Sequence, residues 1–366
     1  VTSSFRVGLL CASPGIPALA PGGASVHLRS IARGFQSAGA EPRLFVRRML
    51  RGGDVPKVDL PEGVVASQAP RGRLPGFLRK RRAWDEGVDA WAMERWLTKS
   101  WREWRPDLIY ERWSLFAGLG AGLRKRFDVP WFLEVNAPLA WEACWFEGME
   151  PRASLLRREA KTLCAADRVL VVSEELGDYV VRRGVPRGRV RVVPNGADRS
   201  DFCSSDPDPT LGERVVLGYE GTFKVWHGML DSMGALAMLR EQLKPRELEL
   251  ELWGDGPDRE DFLQLLSEKL PTLSVRYCGW GEPDRSLWTA AWIPQAPWPP
   301  PSAALEKTFG EPAPGQYFSS LKEAAARAAG LPCWYGDDRV FVSSGTPPES
   351  WDEIARRVLT FVSEVE

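Results

Sequence analysis

The chain has 366 residues, room for two domains at about 100–200 residues each. Its 44% hydrophobic and 27% charged content is that of a globular protein with full cores, which excludes a disordered or low-complexity chain. The formal net charge of -1 gives no overall pull toward nucleic acid or an anionic membrane, so such a partner would need a local patch.

The first apolar run, Phe5–Cys11, is too short for a signal core and reads as a buried strand over Arg6–Cys11. No run approaches the roughly 18–20 apolar residues of a membrane span, so a cytoplasmic location is expected. A Pro- and Gly-rich loop ends in Pro21-Gly22-Gly23. A helix follows, with Leu28, Ile31, Ala32 and Phe35 on one face, and Gly39 ends it. Arg43–Val46 is the next strand, so the chain opens as βαβ with a glycine loop between strand and helix.

Residues 48–83 read as loop, with one strand near Gly63–Ser67, and a helix follows near Asp85–Trp104. Asp107–Glu111, Trp131–Val135 and Arg168–Ser173 are strands, each followed by a helical stretch, and Val190–Pro194 closes this half. Residues 199–213 are a polar linker. The pattern then restarts with strands at Val215–Glu220, Glu247–Trp253 and Leu273–Gly279 and helices near Gly228–Leu243 and Pro257–Leu270. A Pro-rich insertion of low order is expected over 297–315. A helix at Leu321–Ala329, a last strand and a helix within Ser350–Val365 finish the chain. Two blocks of alternating β and α elements imply two doubly wound α/β domains, over 1–198 and 214–366, with ligands in the cleft between them.

The six cysteines (11, 144, 164, 203, 278 and 333) form no CxxC pair and no zinc spacing, and read as reduced thiols. Gly22-Gly23 between strand and helix lets backbone N–H groups approach an anion at a helix N-terminus, though two glycines in a loop are also ordinary. Gly118-Leu119-Gly120-Ala121-Gly122 lacks the dinucleotide spacing and reads as helix packing. The only two histidines, His27 and His227, each follow a glycine-bearing loop, one per block. An imidazole there can donate to a phosphate or a sugar hydroxyl.

Together these segments resemble the family 4 glycosyltransferases of the GT-B fold. The resemblance rests on Gly22–His27 with its helix, Leu133–Leu139 with Glu142, Val171–Ser173, Val193–Asp198, Gly221–Gly228, Leu252–Pro257, and Phe318–Lys322 with Ala328–Pro332. It covers nearly the whole chain, in order. It implies two Rossmann-like halves around a nucleotide sugar, an unknown acceptor, retention of anomeric configuration, and no metal or other cofactor. Donor contacts would come from Gly22, Gly23, His27, Thr222, Lys224, His227, Gly254, Asp255, Ser320, Leu321 and Lys322. Asn136, Glu134 and Lys224 would be the catalytic groups, with Glu142, Trp141 and Trp145 on the acceptor side. The leaving group is a nucleoside diphosphate, so a helix terminus and cations at its oxygens fit the chemistry.

The sequence departs from the family in its second half. Of two acidic positions eight apart, the first falls on Tyr317 and the second, which grips the donor ribose, on Ala325. Glu323 points to nearly the opposite side of the same helix, at about 100° per residue. Pro294 and Trp292 interrupt a usual strand segment, the Gly-Gly-x-x-Glu segment after Pro332 is missing, and so, by this reading, is the final helix that crosses back to the first domain. Two readings follow: an enzyme with altered donor contacts, or a pseudo-glycosyltransferase that binds a protein partner. Arg71–Trp84 interleaves arginines with Leu74, Phe77, Leu78 and Trp84. It reads either as a peripheral membrane contact or as a solvated loop. Trp141, Trp145 and Phe146 read either as a stacking platform for an acceptor or as core. No nucleic-acid module is present.

Overall fold

The computed structural model describes residues 4–50, 56–72, 82–202, 213–317, 321–336, 341–342 and 345–365, with residues 82–85 by backbone alone. The first block runs β1 (Arg6–Cys11), α1 (Gly23–Ser37), β2 (Glu41–Val46), β3 (Val65–Gln68), α2 (Arg82–Ser100), β4 (Leu108–Arg112), α3 (Gly120–Phe127), β5 (Trp131–Val135), α4 (Leu139–Phe146), α5 (Ala153–Leu163), β6 (Arg168–Val171), α6 (Glu174–Arg182) and β7 (Val190–Val192). Its strands pair in parallel in the order β3-β2-β1-β4-β5-β6-β7. The strands read as near-continuous apolar runs because helices cover both faces. β5, Trp131–Val135, is buried at every position.

The second block runs β8 (Arg214–Glu220), α7 (Met233–Leu243), β9 (Glu247–Trp253), α8 (Arg259–Lys269), β10 (Ser274–Gly279), β11 (Ala290–Trp292), α9 (Ala303–Phe309), α10 (Leu321–Ala328) and β12 (Cys333–Trp334), followed by α11 (Trp351–Thr360). Its sheet order is β10-β9-β8-β11-β12, again parallel. β9 alternates: Leu248, Leu250 and Leu252 enter the core, as a period of two dictates. On its other face Trp288 lies flat against β8, where a Cβ on Gly218 would meet the indole at 1.9 Å. In both sheets the strand order reverses beside the first strand, between β1 and β4 and between β8 and β11. Those two switch points are where an open α/β sheet binds ligands.

Two sequence expectations are corrected here. The final helix is present and does cross back. Trp351, Ile354, Ala355 and Val358 of α11 recur at i, i+3, i+4 and i+7 and join the core of the first block with Leu28, Ile31 and Phe35. Gly34 makes the approach possible, since a Cβ there would lie 2.2 Å from the Trp351 carbonyl oxygen. Ser350 and Glu353 form a capping box that fixes where α11 starts. The first structural unit therefore includes this helix as well as the strands before residue 198.

The insertion over 297–315 is likewise ordered. It forms α9 and packs on the first block through Trp298, Leu305, Phe309 and Ala313. Proline reads as disorder only when no surface waits for it; here the aromatic side chains between the prolines have α4 and α5 to bury against.

Candidate functional site

The glycine loop and the second block meet across the cleft. A Cβ on Gly22 would lie 4.0 Å from Thr222 Cγ2, and one on Gly23 would lie 3.5 Å from Leu321 Cδ2. Gly22 is extended, with φ -65° and ψ 149°, and α1 begins at Gly23 without a side-chain cap. The first N–H groups of α1 thus have no side-chain cap and lie where the second block approaches, which leaves them available to an anion.

Thr222 sits in the loop after β8, and the end of β9 with the loop after it holds it. Gly221 N donates to the Trp253 carbonyl at 3.0 Å and Phe223 N to the Asp255 carbonyl at 3.2 Å. Gly254 has φ +112°, and a Cβ there would lie 1.9 Å from the Gly221 oxygen. This is a place where only glycine fits. Asp255 accepts from Gly256 N at 2.7 Å and from Arg259 at 3.0 Å, so its carboxylate shapes the loop.

Lys322, on α10, reaches into this loop. Its Nζ donates to the Tyr219 hydroxyl at 3.4 Å and lies 4.8 Å from the Tyr219 ring centroid. Burial pushes its pKa down to about 7, opposed by the field of Glu220. Tyr219 O–H donates to the Thr222 carbonyl at 2.8 Å and lies 3.2 Å from His227 Nδ1. His227 Nδ1 also bonds the Thr222 carbonyl. Burial, then Lys322 and Lys224, hold His227 well below the usual histidine range despite that bond. His227 is therefore a neutral brace of the loop, and Lys322 is the partly buried amine beside it. Lys224 Nζ lies 4.5 Å from the Trp226 ring centroid, and Trp226 meets Phe146 of the first block at 5.4 Å.

On the first block, Glu134, next to last in β5, lies in a buried network. His27 Nε2 lies 2.6 Å from its Oε1, Arg112 donates at 3.2 Å and Asn136 Nδ2 at 2.5 Å. Burial alone would raise the Glu134 pKa, but His27 and Arg112 overcome it and hold it at about 2. The other His27 nitrogen bonds Asn195 Oδ1 at 2.8 Å, and the ring meets Trp351 edge-on at 4.9 Å. His27 was expected to meet the donor. Its Nδ1 is instead bonded to the hinge residue Asn195, and its Nε2 is turned to the Glu134 carboxylate within the first block. Glu134, expected as a catalytic group, is only 3% exposed and orients Asn136 from behind.

The acceptor side is covered. Trp141 is fully buried and donates from Nε1 to Glu311 at 3.2 Å. Its ring meets Phe309 at 4.9 Å, so it is core and not a stacking platform. Trp145 is half-buried against Trp298 at 5.1 Å, and Trp298 meets Tyr317 at 5.1 Å. Glu311 is ion-paired with the buried Arg183. Tyr317 O–H donates to Glu142, and the Tyr317 carbonyl accepts from Ser173 Oγ at 3.1 Å. The segment from Trp298 to Tyr317 is thus a strap from the second block across α4, α5 and α6 of the first.

The structure therefore brings Gly22, Gly23, Thr222, Lys224, His227, Gly254, Asp255, Leu321 and Lys322 together where the two blocks meet, while Asn136 is bonded to Glu134 and Glu142 to Tyr317 on the first block's side. Ser320 lies outside the described residues, as does most of Arg71–Trp84. The side chain of Glu323 pairs with Arg327, away from Ala325. Gly118–Gly122 serves packing: Glu111 accepts from the N–H groups of Leu119 and Gly120 at 2.9 and 2.8 Å, and a Cβ on Gly120 would strike the Trp131 ring. Tyr219, Trp298, Glu311 and Arg183 were missed. Their partners lie in distant segments, and no local pattern marks them. The described cysteines are all free. Among the described residues no cluster of three His, Cys, Asp or Glu is placed to hold a metal ion, and no helix is long and apolar enough to cross a membrane.

Residues 22–196 match the model of the glycosyl transferase 4-like domain. Sucrose-phosphate synthase from Thermosynechococcus elongatus has a similar structure, with TM-score 0.66 and 17% identity over 99% of this chain and 90% of that one. HepE of Anabaena, in complex with UDP-glucose, gives TM-score 0.58 and 16% identity over 98% and 90%. The lipopolysaccharide outer core galactosyltransferase WaaB gives 0.53 and 17% over 99% and 92%. No curated protein sequence matches. The two facing parallel-sheet α/β units are a GT-B fold. Residues 22–196 are thus similar to a glycosyl transferase 4-like domain, within a chain that has the GT-B fold.

Proposed function

We propose that this protein transfers a sugar from a nucleoside-diphosphate sugar to an acceptor held on the first block, with retention of configuration and without a metal. The observation that carries this is the approach of the Gly22-Gly23 loop to Thr222 and Leu321, with Lys322 partly buried behind it. A diphosphate placed there would meet N–H groups at the start of α1, the start of α10, and two lysines. Such a set stabilises the charge that grows on a leaving phosphate, as electrostatic catalysis requires. An anion would also return Lys322 to its charged form, since its low pKa comes from burial, which the field of Glu220 offsets only in part. Asn136, held by Glu134, faces the acceptor in this reading.

The likeness to a structure holding UDP-glucose makes uridine nucleotides the first donors to test. Calorimetry without metal against UDP-, GDP- and ADP-sugars should give saturable binding of one donor, weakened at least tenfold by Lys322→Ala or Lys224→Ala. No binding of any donor at millimolar concentration would overturn the proposal. Tyr317 and Ala325 stand where acids were expected, which favours a second reading, a binding protein without turnover. Donor binding with neither hydrolysis nor transfer over a broad acceptor set would select it. Vesicles with and without anionic lipid would decide the membrane reading of Arg71–Trp84: salt-sensitive binding to anionic vesicles alone supports it.

A further inference from the structure

A transferred sugar presents hydroxyls, and a carboxylate is the side chain that holds them most strongly. The second block has no acid at either of the two positions where the resemblance expects one, Tyr317 and Ala325, the latter being the position that would grip the donor ribose. Ala325 has no polar side-chain atom, and Glu323 on the same helix is turned to Arg327. The other position holds Tyr317, 2% exposed, with its ring against Trp298 and its carbonyl bonded by Ser173. Its hydroxyl crosses to the first block and donates to Glu142.

Glu142 lies in the first turn of α4. The cations whose fields act on it are Lys224, from the second block, and Arg112, at the end of β4. Phe146, one turn further along α4, meets Trp226 at 5.4 Å, and the Trp226 ring lies 4.5 Å from Lys224 Nζ, so the carboxylate bonded to the strap tyrosine stands on the helix that reaches the diphosphate loop. A sugar attached to a diphosphate beside Lys224 must pass this point. An ionised carboxylate has about four acceptor sites, and the Tyr317 hydroxyl takes one of them on Oε1.

We infer that Glu142 is the carboxylate that grips the hydroxyls of the transferred sugar, and that Tyr317 is its positioning residue. The acid that the second block lacks is supplied from the first block, across the cleft. This assignment rests on the donor reading given above, and it moves Glu142 from the acceptor to the donor sugar.

The test separates sugar from nucleotide. Affinities of the wild type, Glu142→Gln and Tyr317→Phe are measured for the best binder among UDP-glucose, GDP-mannose and ADP-glucose, and for its nucleoside diphosphate alone. Glu142→Gln should weaken the sugar nucleotide about tenfold or more and leave the diphosphate within about twofold. Tyr317→Phe, which keeps the packing, should give a smaller loss of the same kind. Equal losses for both ligands, or no loss for the sugar nucleotide, would overturn the assignment. A wild type that binds neither ligand would instead sink the donor reading itself, and this assignment with it. Thermal midpoints of the variants keep misfolding apart from either outcome.

Discussion

Gly34 passes directly beneath Trp351, so closely that a Cβ on the glycine would sit 2.2 Å from the tryptophan carbonyl oxygen and 3.3 Å from Ala355 Cβ. The contact clamps the last helix of the chain onto the first. Around it, Arg33 bonds Asp198 at 2.5 Å and Trp351 N donates to Asp198 Oδ1 at 2.8 Å. The hinge carboxylate thus ties both helices together. Gly34→Val should force α11 off α1 and cost about 1–3 kcal/mol or more, as overpacking does. Urea unfolding of the variant checks this, and an unchanged midpoint would mean that the helices separate freely.

The strap depends on a charge pair taken out of water. Arg183 and Glu311 have side chains only 7% and 18% exposed. Removing one partner strands the other, so Glu311→Ala should cost about 3–5 kcal/mol. Replacing both, as Arg183→Met with Glu311→Leu, should recover most of that loss, because an apolar pair of similar volume often does as well. Equilibrium unfolding of the two variants decides it. If the double variant is as unstable as the single one, the pair is not what fastens the strap.

Lys322 gives the unliganded protein a characteristic pH dependence. Its folded pKa is lowered to about 7, against an ordinary value of 10.5. Between those values the unfolded chain holds the proton and the folded one does not, so stability rises with pH across that window. Below about 7 both states are protonated, and the full burial penalty is present. Stability measured from pH 6.5 to 10 should climb, and Lys322→Met should flatten the curve and raise its low-pH end. A saturating diphosphate should flatten it as well, by supplying a further counter-charge.

The fold was legible because each apolar run in this chain is bounded by glycine, proline or a polar turn. Strand β5 and the two glycine loops are local patterns, and the structure places them as read. What escaped depends on surfaces that only the fold creates. The apolar stripe of α11 is visible in the sequence, but nothing local says that its partner is α1, over 300 residues away in order. The prolines of 297–315 read as disorder, while the tryptophan, phenylalanine and glutamate among them have partners on α4 and α6. His27 and His227 were read as ligand contacts from their loops. Both turn inward, because a carboxylate, an amide oxygen or a carbonyl lies within reach there.

Gly23 separates the space a ligand needs from the space the fold needs. Unlike Gly34 or Gly254, it could carry a methyl group without a clash, since the nearest atom, Leu321 Cδ2, would lie 3.5 Å away, an ordinary contact. Its backbone, in the first turn of α1, is helical and suits alanine, which is favoured over glycine in a helix by about 1 kcal/mol. Gly23→Ala should therefore fold with an unchanged or slightly higher unfolding midpoint. If the loop cradles the diphosphate and its sugar, the methyl group enters that space and should weaken donor binding by about tenfold or more, as a lost near contact of 1–3 kcal/mol does. Stability and affinity move in opposite directions in this one variant, which no purely structural role for the glycine produces. Unaltered affinity in a stable Gly23→Ala protein would place the diphosphate elsewhere in the cleft.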